Sequence, residues 1–166
     1  MDTSYLDLLM AQQEEVAEEA IGGGGVWVVA DVVNGAVAPV TLEALGMART
    51  LADSLGAYVY GVLLGDDVTE LAQTLYRAGA DGVRVADHPT LARFAVEPYL
   101  AVLSGIFEEQ QPEVVIFGAT RHGQELAPRL AQALGGGLIE RVTAFTLDEA
   151  TRTVPVSYTH LRANKT

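Results

Sequence analysis

The feature that most constrains this chain is a repeated alternation of short, wholly apolar runs with longer segments whose apolar residues recur at helical spacing. VWVVAD (26 to 31), AYVYGVLL (57 to 64), GVRVAD (82 to 87) and EVVIFGAT (113 to 120) have the length and β-branched content of strands covered on both faces. Between the first two, residues 41 to 55 place Leu42, Leu45, Ala48, Ala52 and Leu55 on one helical face, and Gly56 supplies the stop. A second helix is expected over Val68 to Ala78, capped by Asp66 or Asp67 and ended by Gly79, a third over Val96 to Gln110, and a fourth over Gln124 to Leu134 before Gly135. LIERVTAFTLD (138 to 148) reads as a last strand. Strands alternating with helices through short connections make a parallel sheet, because each crossover returns over a sheet face with right-handed sense. The expected fold class is α/β, a three-layer parallel sheet with flanking helices.

The flanks read differently. Over residues 4 to 20, Leu6, Leu9, Met10, Val16 and Ala20 recur at helical spacing among glutamates and glutamines, which predicts an amphipathic helix. Gly22 to Gly25 then form a joint, since successive glycines are entropically costly to order. Residues 1–25 are thus expected to be a helical extension with a glycine linker and 26–154 the α/β domain. All 22 acidic residues lie before position 155, and the only lysine, Lys165, lies after it. The abrupt change at PVSYTHLRANKT marks residues 155–166 as a non-native or disordered tail.

Charge and composition exclude several functions. The chain carries a formal −12, and residues 1 to 154, with eight basic against 22 acidic side chains, carry −14. That opposes nucleic acid and anionic lipid, whose binding needs clustered Lys and Arg, so neither is an expected partner. The absence of cysteine removes disulfides, thiolate metal sites and Cys nucleophiles. There is neither a run of roughly 20 apolar residues nor a basic n-region with an apolar h-region, so a cytoplasmic or organelle-matrix location is expected. His88, His122 and His160 are scattered, and Asp66 with Asp67 are better placed to cap a helix than to hold a cation, so no metal site is expected. No Ser, His and Asp arrangement suggests a triad, no catalytic residue is assigned, and the chain is not expected to be an enzyme. Trp27, inside a strand, is expected in the core.

In open α/β sheets ligands bind at the carboxyl ends of the strands, which directs attention to Asp31, Gly65 to Asp67, Asp87 to His88 and Gly118 to Gly123. The Gly118 to Gly123 spacing at a strand-to-helix turn can gather backbone N–H groups over a helix N-terminus, with Thr120, Arg121 and His122 as anion contacts. The same spacing also suits a plain tight turn. The lysine of a P-loop is missing. Arg129, beside Pro128, and Arg121, which with His122 makes its turn unusually basic, are candidate subunit-interface residues.

The stretch GATRHGQELAPRLAQAL (118 to 134) resembles the strand, turn and helix near the end of the N-terminal domain of electron-transfer flavoprotein alpha subunits. VWVVADVVNGAVAPVTLEALGMARTLADSLGAYVYGVLLG resembles that domain's opening and AGADGVRVADHP its third strand, so the resemblance covers residues 26 to 154. It implies an adenine-nucleotide alpha-hydrolase-like, Rossmann-related fold, a heterodimer with the beta subunit, and electron transfer from acyl-CoA or other dehydrogenases through FAD. In that family FAD sits in the alpha subunit's C-terminal domain, which is expected to be absent here. No cofactor is therefore expected on this chain, with Gly118, Thr120, Arg121 and Gly123 kept as weak cofactor-binding candidates. An isolated domain of this kind could also form a homodimer through its exposed interface. The alternative reading is a stand-alone adenine-nucleotide-binding domain resembling universal stress proteins.

Overall fold

A computed structural model describes residues 24–137 and the backbone of Gln13–Glu15. In chain order the elements are Gln13–Glu15 (β1), Val26–Val29 (β2), Val32–Val33 (β3), Ala36–Val37 (β4), Pro39–Leu55 (α1), Val59–Gly65 (β5), Ala72–Arg77 (α2), Gly82–Asp87 (β6), Val96–Gln110 (α3), Val114–Phe117 (β7) and Arg121–Leu134 (α4). Short 3-10 turns, Thr69–Leu71 and Pro89–Leu91, lead out of β5 and β6. The expected last strand (138 to 148) and the tail (155 to 166) lie outside the described residues.

The apolar runs become strands because both of their faces are covered. Along β2, Val26 and Val28 enter one core with Val59, Leu63, Val83 and Val85, against Leu45, Ala48 and Ala52 of α1. Trp27 and Val29 point the other way, into a second core with Tyr60, Val62, Leu103, Ile106 and Phe107. Two cores on opposite faces of one sheet are the three-layer arrangement that period-two alternation in a parallel sheet demands. Trp27 is fully buried, stands edge-on to Phe107 at 5.5 Å and donates its indole N–H to the Gly24 carbonyl at 2.7 Å. Gly56 and Gly135 end α1 and α4 with φ of 65° and 67°, the left-handed geometry expected of them.

The sheet runs β1-β6-β5-β2-β7, with β6, β5, β2 and β7 parallel. The N-terminal helix expected over residues 4 to 20 is contradicted where that segment is described. Gln13–Glu15 is an edge strand antiparallel to β6, with Glu14 opposite Val85. Pairing with the open side of β6 satisfies a row of backbone groups that a helix would leave exposed there, and this outweighs helical spacing.

Two further expectations are corrected. Leu42 is 39% exposed, and Thr41, Ala44 and Leu51 join Leu45, Ala48 and Ala52 on the buried face of α1 instead. Neither Asp66 nor Asp67 caps the turn into α2. The Asp87 carboxylate does so from the end of β6, accepting the N–H groups of Asp67, Val68 and Thr69 at 2.7, 2.9 and 3.0 Å and the Thr69 hydroxyl at 2.7 Å. Burial alone would raise this carboxyl, but the Thr69 hydroxyl and the three N–H groups prevail and hold it below its ordinary value.

Candidate functional site

After β2 the chain fills neighbouring places on one side, β5 then β6, and afterwards crosses to the other side of β2 as β7. The order reverses between β2 and β7, so helices leave their carboxyl ends on opposite faces and a crevice opens there. Asp31 lies just beyond the end of β2, its side chain only 10% exposed.

Local structure fixes Asp31 from three directions. The β3–β4 hairpin turns through Asn34 and Gly35, both with positive φ (51° and 75°), and returns the chain so that the Ala38 N–H donates to the Asp31 carbonyl at 2.8 Å. Pro39 then opens α1, whose Thr41 hydroxyl accepts the Asp31 N–H at 2.9 Å. From across the crevice the Thr120 hydroxyl donates to Asp31 Oδ2 at 3.0 Å, while its oxygen accepts the Gly123 N–H at 3.1 Å as the N-cap of α4. The Asp31 carboxylate is thus tied through Thr120 to the positive end of a helix.

Gly118 and Gly123 are glycines because of close approach. A Cβ at Gly118 would stand 2.9 Å from Asp31 Oδ2 and 3.0 Å from a Val40 methyl, and one at Gly123 would collide with the Gly118 carbonyl oxygen. The spacing therefore closes a turn against Asp31, whose carboxylate reaches the α4 N-terminus through the Thr120 hydroxyl.

His122 completes this wall. Its ring stacks on Phe94 with centroids 3.8 Å apart and planes 10° from parallel, and its Nδ1 lies 3.7 Å from Asp31 Oδ1, beyond hydrogen-bond reach. Burial pushes the Asp31 carboxyl up, partly offset by the Thr120 bond and by His122. Tyr99 donates to the Leu91 carbonyl at 2.8 Å, and its phenol is pushed up by burial and by the Asp31 charge. A cavity of about 360 Å³ opens between these groups, walled by Leu64, Leu91, Phe117 and Leu126 and edged by Asp66 and Asp67.

The structure thus brings Asp31, Gly118, Thr120, His122 and Gly123 together, with Gly65 to Asp67 on the facing rim. It leaves the others apart. Arg121 projects outward, 89% exposed, beside Glu125 at 3.2 Å, and Arg129 is exposed with its guanidinium donating to the Glu125 carbonyl at 2.6 Å. His88 caps a 3-10 turn, its Nδ1 accepting from the Thr90 N–H at 3.1 Å. Among the described residues no group of three or more His, Cys, Asp or Glu could hold a metal ion, and no helix is long and apolar enough to cross a membrane. Phe94, Tyr99 and Thr41 were not legible in the sequence. Phe94 and Tyr99 flank the start of α3 with no motif around them, and the one available cue was an aromatic placed at the level of the strand ends.

The family described as electron transfer flavoprotein domain matches residues 26–163. The chain is 41% identical over 124 residues to the electron transfer flavoprotein subunit alpha of Thermoanaerobacterium thermosaccharolyticum, covering 75% of this chain and 38% of the relative. It is 38% identical over 130 residues to the subunit of the same name from Megasphaera elsdenii, covering 78% of this chain and 38% of that protein. It is also 38% identical over 149 residues to the lactate dehydrogenase (NAD(+),ferredoxin) subunit LctC of Acetobacterium woodii, covering 90% and 36%. The chain spans little more than a third of the length of these curated relatives.

Proposed function

Because the chain belongs to the electron transfer flavoprotein family, as an alpha-subunit N-terminal domain, we propose that it is the scaffold part of an electron-carrying complex. It packs against the beta subunit, while the flavin that relays electrons from dehydrogenases is held by other parts of the assembly. The observation that carries this reading is Asp31. A buried carboxylate bonded to Thr120, the N-cap of α4, stands beside that helix N-terminus, so the pyrophosphate of FAD would face like charge there. The exposed Arg121 and Arg129 are basic side chains offered to a partner surface.

The test is absorbance in the flavin bands for the purified chain, alone and co-expressed with a beta subunit, beside a version extended through the rest of an alpha subunit. The chain alone should be colourless and the extended complex yellow; flavin retained by the short chain would overturn the assignment. A second reading, a stand-alone adenine-nucleotide binder, is favoured by the crevice at the order reversal and opposed by Asp31. Thermal stabilisation by ATP decides it, since a ligand at about 100 times its dissociation constant adds about 2.7 kcal/mol to stability.

A further inference from the structure

We propose that the crevice over β2 and β7 is a socket for a guanidinium group, supplied by an arginine of the partner subunit. The inference rests on the heterodimer reading above and deepens it by naming what enters the cavity.

Three observations carry it. The first is the buried acceptor. Oδ2 of Asp31 is engaged by Thr120, whereas Oδ1 has only the His122 ring beyond hydrogen-bond distance, on a side chain nine-tenths buried that lines an open cavity. A carboxylate oxygen so placed gains from a donor that arrives with positive charge. The second is the sign of the surroundings. Asp31, Asp66 and Asp67 all line the cavity, and among the described residues no lysine or arginine does. Arg121, next to His122, is turned outward onto Glu125. A chain with a formal −12 therefore presents a concentrated negative recess to an approaching partner.

The third is shape. The Phe94 and His122 rings, stacked on each other, line the cavity together with Tyr99 as an aromatic wall, with about 360 Å³ in front of it. A planar, weakly hydrated guanidinium lies against such a wall while its fork reaches Oδ1, whereas an ammonium has no plane to stack and sheds its water less readily. Arginine is also among the residues enriched at interface hot spots, which sit in well-packed, desolvated pockets.

The test titrates the full chain with N-acetyl-arginine methylamide, followed by NMR at the His122 and Phe94 rings, with the citrulline and lysine counterparts as controls. Saturable shifts at both rings are expected with the arginine probe, with binding at least about tenfold weaker for citrulline and for the Asp31→Asn chain, the loss that follows removal of one partner of a charge-assisted bond. Asp31→Asn keeps an acceptor for Thr120 and leaves the backbone bonds of residue 31 intact. Should it fold poorly, Phe94→Leu gives a second measure, expected to weaken the probe several-fold by removing the stacking wall. Equal responses to the three probes, or no movement of the two rings, would overturn the socket. Co-expression with a beta subunit separates this inference from the scaffold reading. If the wild-type complex forms and Asp31→Asn forms it as tightly, the socket fails and the scaffold stands. If the arginine probe binds but no complex forms, the scaffold reading fails, and so does assigning the arginine to that subunit.

Discussion

Two aspartates stand at the carboxyl ends of two parallel strands and have been put to opposite uses. Asp87 ends β6 and receives four hydrogen bonds, three from backbone N–H groups and one from Thr69, and its carboxyl is held low. Asp31 follows β2, and among the described residues its carboxylate receives one hydrogen bond, from Thr120, while burial holds it high. The contrast separates structure from function by saturation. A carboxylate whose lone pairs are filled by its own fold has finished its work there, whereas one buried beside a cavity with an oxygen to spare keeps capacity for something that is not yet bound.

The comparison can be broken most severely at Gly123. A methyl group there meets the Gly118 carbonyl, so Gly123→Ala should destabilise the chain by about 3 kcal/mol in urea unfolding by forcing α4 away from β7, with the Asp87 cap untouched. Next comes Asp87→Ala, which strips an acceptor from three N–H groups and a hydroxyl and should cost about 2 kcal/mol, measured the same way.

Acid titration of stability sharpens the contrast, because the two groups have opposite slopes. The folded Asp87 carboxyl titrates below the ordinary value of 3.8, so its contribution is complete above that value and fades as pH falls through the folded one. Asp31 titrates above 3.8 when folded, so its ionisation lowers stability as pH rises from 3.8 through the raised value, and beyond that the penalty is constant. Urea midpoints across the acid range should therefore fall less steeply toward low pH in Asp87→Asn than in wild type. In Asp31→Asn they should rise relative to wild type on passing upward through the same range. The smallest effect is Asp31→Asn at neutral pH, where stability should stay within about 1 kcal/mol of wild type while capture of an arginine probe is lost.

Much of the fold was legible because it is written in local periodicity. GVRVAD is a strand over the residues its pattern marks, and Val96–Gln110 is a helix with the same ends as its apolar spacing predicts. What was not legible depends on residues far apart in sequence. Asp66 and Asp67 have the local look of a cap, yet the acceptor comes from Asp87, about twenty residues on, because β6 lies beside β5. Gln13–Glu15 reads as helix until the unpaired side of β6 is available to it. The site is half legible in the same sense. Sheet topology points to Asp31 and to the Gly118–Gly123 turn, but that the turn closes on the carboxylate, and that Phe94 stacks on His122, follows only from how the helices settle over the sheet.

The Thr120 to Asp31 bond joins positions 89 apart in sequence, and β7 docks beside β2 only after the whole of β5 and β6 has been laid down between them. Closing so long a loop is entropically slow compared with forming the neighbouring β2–β5 pair. As the ribosome extrudes this chain, β2 can begin its sheet with one flank bare, and the recess at Asp31 comes into being only when the chain has grown past residue 120. Any subunit that docks into this recess would thus recognise an alpha chain whose first domain has finished folding and pass over one that has not.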